Sequence, residues 1–329
     1  MKITRRLLTN LLGAAPLAAA VQAHAQSPND WPTRPVRFLV PWPAGGLNDV
    51  IARSFNDKVS AALGKTVITD FKAGAAGRIG VTEIAKAKPD GYTLFVGSIG
   101  VFSINPVLYK NLPYEPNRDF DLLSVAVRTP NALVTRANFP ANTVAEFVDY
   151  VKKNPGKVSF ASSGTGSSDH LTAALFWQKT GTSGIHVPYK GGSAAHTDLI
   201  GGQVDASFQN LGSITNHVKG GKMKLLAVTG NARDPAVPGT PTMTEGGVPG
   251  LEVYSWQAFV APKGLPKDVS DRLVPALIAA IKDAGVTKKF NDIGFEVVGN
   301  TPAEFGKFLN EELARWKGVV DAGGIKQSD

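Results

Sequence analysis

Four segments gather glycine, serine and small polar residues where an apolar run ends and a helical run begins. They are Pro41 to Asp49 (PWPAGGLND), Gly97 to Ser103 (GSIGVFS), Ser162 to His170 (SSGTGSSDH) and Tyr189 to His196 (YKGGSAAH). A strand that breaks on glycines and enters a helix leaves the first-turn N–H groups without intrahelical acceptors, at the positive end of the helix dipole. Such an end suits an anion. Glycine and serine let a carboxylate come close to the backbone, where a branched side chain would block it. One glycine-rich βα turn is commonly only a connection. Four in one chain predict a multi-loop site and leave its occupant open.

Motifs for other chemistry fail on spacing. Gly64-Lys65-Thr66 would close a phosphate loop only with glycine at position 59, which is Val59. Gly164-Thr165-Gly166 meets Asp169 where a dinucleotide fingerprint needs its third glycine. Ser98 has Val96 where a nucleophile elbow needs glycine. His170, His186, His196 and His217 show no metal spacing with carboxylates, so neither metal nor cofactor is expected. The local pairing that could serve nucleophilic catalysis is Ser167 or Ser168 with His170, without a visible third member. It keeps a secreted α/β hydrolase as the alternative to a binding module, and no catalytic residue is assigned.

The elements that must position these loops alternate regularly. Short β-branched or aromatic runs (VRFLV, TVITDF, YTLFVG, ALVTR, KVSFAS, GIHVPY, KLLAVTG) are each followed by helical stretches, which predicts an α/β fold with largely parallel sheets. Ile51, Phe55, Val59 and Leu63 form one helical face, with Gly64 placed as a C-cap. Asn142 or Thr143 caps a helix that runs to Lys153. No internal repeat is visible. The middle third has its own strand–helix series, so residues 128–233 are expected as a second domain inserted into a first made of 26–127 and 234–329. Asp234 to Pro249, rich in proline and glycine, reads as the irregular return connection.

The first 25 residues read as a leader: Lys2, Arg5 and Arg6, then an uncharged apolar run, then Ala23-His24-Ala25. Export to the periplasm, with Gln26 as the first mature residue, is the expectation. Sec and twin-arginine routes both remain open. The apolar run is too short to span a bilayer, and no cysteine is present for lipid attachment or a disulfide. The formal charge is +8, of which three positive charges lie in the leader, leaving +5 on the remainder. That mild bias suits acidic small molecules, and no basic stripe with interleaved aromatics exists to bind nucleic acid.

Taken in order, VPWPAGGLNDVIAR, PDGYTLFVGS, INPVLY, LPYEPNRDF, FASSGTGSSDHL, VPYKGG with DLIGGQVD, LLAVTG and PTMTEGGVPG resemble the solute receptors of tripartite tricarboxylate transporters, the Bug proteins. The resemblance covers nearly all of the chain after the leader. It implies a type II-like, two-domain periplasmic binding protein, each domain a mainly parallel sheet flanked by helices, with the ligand cleft between them. It also implies a monomer that hands a small carboxylate to membrane components: a di- or tricarboxylate, an amino acid, or an aromatic acid such as terephthalate.

In that family backbone amides, hydroxyls and bridging waters hold the carboxylates. The resemblance places ligand contacts at Gly45, Gly46, Asn48 and Asp49, at Ser98, at Ser162, Ser163, Gly164, Thr165, Gly166 and His170, at Tyr189, Lys190 and Gly191, and at Asp205. Asp49 and Asp205 have a second reading as caps. One departure stands out: Ala73 to Gly80 puts Arg78 at a helix start, where the family carries a neutral residue. A cation there opposes the dipole, so Arg78 either points into water or pairs with an anionic ligand.

Overall fold

The computed structural model describes residues 31–323 and 325; the expected leader lies outside them. From Pro32 onward the chain forms one unit built on a ten-stranded mixed sheet. The strands are β1 (Val36–Val40), β2 (Val67–Phe71), β3 (Thr93–Ser98), β4 (Phe120–Arg136), β5 (Ser159–Ser162), β6 (Ile185–Pro188), β7 (Ala206–Asn210), β8 (Met223–Val228), β9 (Tyr254–Pro262) and β10 (Glu296–Val297). Between them run α1 (Leu47–Leu63), α2 (Arg78–Ala85), α3 (Asn105–Leu108), α4 (Pro116–Asp119), α5 (Val144–Lys153), α6 (Ser168–Thr180), α7 (Gly192–Ile200), α8 (Leu211–Lys219), α9 (Lys267–Ile281), α10 (Ala284–Asn291) and α11 (Pro302–Gly323).

The strand order is β2-β1-β3-β9-β4-β7-β5-β6, with β8 and β10 paired to β4. Its two ends repeat one plan. β1-α1-β2-α2-β3 makes a parallel trio with β1 in the middle, and β5-α6-β6-α7-β7 makes another with β5 in the middle. These are the parallel sheets the alternation predicts. The centre differs: β9 runs antiparallel to β3 and β4, and β4 runs antiparallel to β7 and β8. The first part of β4, β7 and β9 escape the apolar-run reading for a physical reason. Ser124 and Thr129, Ser207 and Gln209, and Ser255 and Gln257 interrupt these strands with polar residues that are nevertheless buried.

Each half packs helices on its sheet. The predicted face of α1 is buried at Ile51, Phe55, Val59 and Leu63, and Gly64 closes the helix in the left-handed region at φ 68°. Burial of each such side chain contributes roughly 1.5–3 kcal/mol. Phe55 meets Phe259 and Phe290 at 5.7 Å between ring centroids. Thr143 caps α5, its hydroxyl accepting the Glu146 N–H. α11 packs against both α3 and α6, and its Glu312 accepts from the indole N–H groups of Trp256 and Trp316.

The halves meet where β4 changes partner, pairing β9 up to Pro130 and β7 from Asn131. There three backbone bonds close a ring: Asn131 N–H to Val253 O, Val253 N–H to Thr229 O, and Thr229 N–H to Asn131 O. The stretch from Asp234 to Pro249 is irregular, as expected, but it does not rejoin the first half at residue 234. Val237 enters the core of the second half, the Val228 N–H donates to Pro241 O while its carbonyl accepts the Met243 N–H, and Gly246 lies against Val144. By packing, the return to the first half comes at Val253 and Tyr254.

Candidate functional site

β1 and β5 are each the middle strand of a parallel trio, so each carboxyl end is a topological switch point, where ligands of open α/β sheets bind. The loop after β1 turns through Gly45 at φ 79° into α1, whose N-cap Gly46 has no side-chain partner. Asp49 reaches back to accept the Gly45 N–H at 2.7 Å and forms an ion pair with Arg53. The loop after β5 turns through Gly164 at φ 132°. Asp169 accepts both the N–H and the hydroxyl of Ser163, at 2.6 and 2.8 Å. In each half an aspartate near the helix start therefore fastens the loop that precedes it. Burial pushes the Asp169 carboxyl up, against the lowering effect of hydrogen bonds from Ser167 and Ser163.

Three further starts face the same space. α7 begins after Gly191, at φ 110° and without a side-chain cap; the Gly191 N–H donates to Ser163 O. α8 begins after Asn210, whose amide donates to Asn131 and Ser168 instead of capping. Ser98 and Ile99 lead from β3 into a π-helical turn at Gly100–Ile104. A cavity of about 590 Å³ lies among these ends. Its wall includes Gly45, Gly46, Asn48, Ser98, Ser163, Lys190 and Gly191 from the predicted set. Lys190 and Asp169 are the charged residues of the wall, and the first-turn N–H groups of the helix starts add positive partial charge to it.

The other predicted residues are placed off the wall. Asp49 is 5 % exposed and acts as the loop fastener. Ser162 is buried, bonded to Gly164 and 2.6 Å from His186 Nε2. Gly164 and Gly166 shape the turn, and half-buried Thr165 lies between them. The Tyr189 hydroxyl donates to Asp198, and its pKa is pushed up to about 12 by burial and that carboxylate.

Asp205 is the clear correction. It accepts from Ser159 N–H and Oγ and pairs with Arg136, at the amino ends of β5 and β7. The cavity is at their carboxyl ends. Arg78 also stays away from the wall: its guanidinium lies 4.3 Å from the Tyr109 ring centroid and its Nε–H donates to Ala75 O. Both contacts offset the unfavourable dipole at the start of α2.

His170 and His196 are both buried. His170 Nδ1 accepts the Gly166 N–H, and the ring stacks on His186 at 3.8 Å. Burial holds its pKa down at about 3, helped by His186. His196 sits 2.9 Å from Gln209 Oε1, which fixes its Nε2–H tautomer. Ser167 does not meet the His170 ring: its hydroxyl donates to Gly164 O and accepts the His170 backbone N–H. Ser168 Oγ accepts from Asn210. No nucleophile–base pair of the expected kind forms. Among the described residues no cluster of His, Cys, Asp and Glu could hold a metal ion.

Several wall residues lie beyond the sequence reading: Gln209, Asn210, Ser255, Gln257 and Phe295, while Trp42 belongs to the first predicted loop without being among its named contacts. Gln209 follows Ser207 and Gln257 follows Ser255 at a spacing of two. A polar pair at period two inside an apolar strand was the available signal.

Comparisons with known proteins show the family. The family described as the tripartite tricarboxylate transporter family receptor matches residues 51–325. Protein BugT of Bordetella pertussis is 33% identical over 329 residues, covering 99% of each chain. The adipate complex of R. palustris Rpa4515 superposes with a TM-score of 0.87 at 34% identity, covering 90% of this chain and 99% of that one. The periplasmic binding protein BugD gives 0.85 at 37%, covering 91% and 100%.

Proposed function

The chain belongs to the tripartite tricarboxylate transporter receptor family, whose members are periplasmic solute-binding receptors and not enzymes, and from that premise we propose that it captures a small dicarboxylate. The observation that carries this reading is the convergence of the α1, α6, α7 and α8 starts and the Gly100–Ile104 turn on one cavity. The first-turn N–H groups of Leu47 and Asn48, with the Asn48 amide, receive one carboxylate, on a loop shaped by Gly45 and Gly46, whose own N–H groups are held by Asp49 and Pro43 O. Ser98, Lys190 and the first-turn N–H groups of α7 receive the other, while Ser163 and Gly191, whose N–H groups are held by Asp169 and by Ser163 O, shape that side of the wall. Trp42, Val50 and Ile200 on the wall suit a short methylene spacer, as does the binding of adipate by the similar R. palustris protein. The chain acts as an exported monomer of two domains, beginning at Gln26, and passes its ligand to the membrane components of its transporter.

The test is a thermal-shift screen of four- to seven-carbon dicarboxylates, followed by calorimetry. A ligand at a hundred times its Kd adds about 2.7 kcal/mol, a rise of several degrees in Tm. Dimethyl esters of the same acids should produce no shift. Arg78→Ala should leave the affinity within about threefold, since the side chain is off the wall and half-exposed. No shift with any dicarboxylate would defeat the reading.

A further inference from the structure

Two buried polar atoms beside the cavity have no protein partner: Asn48 Nδ2 and Gln257 Oε1. Their residues are 4 % and 1 % exposed, and both line the cavity. Others of this kind, on Asn56, Thr135 and Trp177, belong to residues off the wall. A buried polar atom left unpaired is costly, and beside a binding cavity a ligand group can supply the missing partner.

The two atoms ask for opposite chemistry. Asn48 sits in the first turn of α1 and adds a donor to the N–H groups there, which suits a carboxylate oxygen. Gln257 presents an acceptor. Its Nε2 donates to Ser255 Oγ at 3.4 Å, leaving Oε1 for the ligand. On β9, Ser255 and Gln257 share the face toward the cavity, while Trp256 points the other way, its indole N–H held by Glu312. The register pairs Gln257 with Ser98, so this acceptor stands beside a loop assigned to a carboxylate.

We infer that Gln257 is a specificity-determining residue that selects dicarboxylates bearing a hydroxyl on the carbon next to a carboxylate. An unsubstituted acid leaves Oε1 unpaired, whereas a 2-hydroxyl donates to it. An ammonium group suits the wall less well. Its carboxylate, Asp169, is already engaged by Ser163 and Gln209, and Lys190 adds positive charge.

The inference rests on the dicarboxylate reading, and the test separates the two. Calorimetry compares 2-hydroxysuccinate, 2-fluorosuccinate and succinate, and likewise 2-hydroxyadipate and adipate, on wild type and Gln257→Met. Fluorine approximates the hydroxyl in size and cannot donate. The expected result is that, at one chain length at least, the hydroxy acid binds about tenfold or more tighter than its unsubstituted and fluoro counterparts. Gln257→Met should erase that preference while moving the unsubstituted acid by less than about threefold.

Equal wild-type affinities overturn the inference, as does a preference that survives in Gln257→Met. Equal weakening of both acids, the mark of an amide turned to donate, also overturns it, as does tighter binding of 2-aminosuccinate than of 2-hydroxysuccinate. Each of these leaves the dicarboxylate reading standing. Silence with every acid defeats that reading and this one together. If circular dichroism shows Gln257→Met unfolded, the hydroxyl-against-fluorine comparison on wild type decides alone.

Discussion

At the scale of single residues, the histidines around the cavity couple stability to pH. Burial lowers the pKa of His170 to about 3 and of His196 to about 4; for His196 the Gln209 hydrogen bond opposes the shift and His217 adds to it. Their unfolded value lies near 6.5. Between that value and the folded one the unfolded chain takes up protons that the folded chain refuses, so acid favours unfolding. The stabilisation is complete above pH 6.5 and is lost as pH falls toward 4, by up to about 1.4 kcal/mol per pH unit for each histidine. Thermal melts should therefore show Tm falling from pH 6.5 to 5. His170→Asn with His196→Gln, which keep an acceptor for Gly166 and a donor for Gln209, should reduce that slope, leaving the part due to His186, whose pKa burial lowers to about 4. A wild-type Tm that holds steady across the range would overturn the assignment.

At the scale of elements, two glycines separate a loop's role in folding from its role in binding. Gly45 enters α1 at φ 79° and Gly64 leaves it at φ 68°, and a Cβ at either position would meet nothing within 4 Å. Alanine at each position carries the same penalty, about 1–2 kcal/mol for a left-handed backbone. Gly45→Ala and Gly64→Ala should lower Tm alike, and only Gly45→Ala should also weaken dicarboxylate binding, because its strain falls on the loop that presents the first-turn N–H groups. Calorimetry beside thermal melts checks this; equal affinities in the two variants would remove the β1 loop from the site.

At the scale of the whole molecule, the ring of bonds among Asn131, Thr229 and Val253 joins the two sheet halves where the chain passes between them. The Thr229 hydroxyl reinforces it, donating to Asn131 O and Val253 O. Loops of both halves line the cavity, so a ligand held from both sides favours the arrangement that brings them together. Small-angle scattering should show a smaller radius of gyration with a saturating dicarboxylate than without. An unchanged radius would count against closure about this ring.

The sequence by itself determined what depends on near neighbours. Strand–helix alternation, the amphipathic face of α1, its Gly64 cap and the glycine-serine junctions are all set within a few residues by backbone geometry and period. The expectation of an anion at these junctions followed from them, since any helix start offers free N–H groups. Tertiary structure decided which junctions share a cavity and which end of a strand each residue occupies. Asp205 looked like a site residue until the unforeseen strand β7 put it at the amino end of the sheet. Gln257 lay outside every predicted strand, and antiparallel pairing of β9 with β3 set it beside Ser98. Register between strands distant in sequence comes from the packing of whole faces, and no local run of residues encodes it.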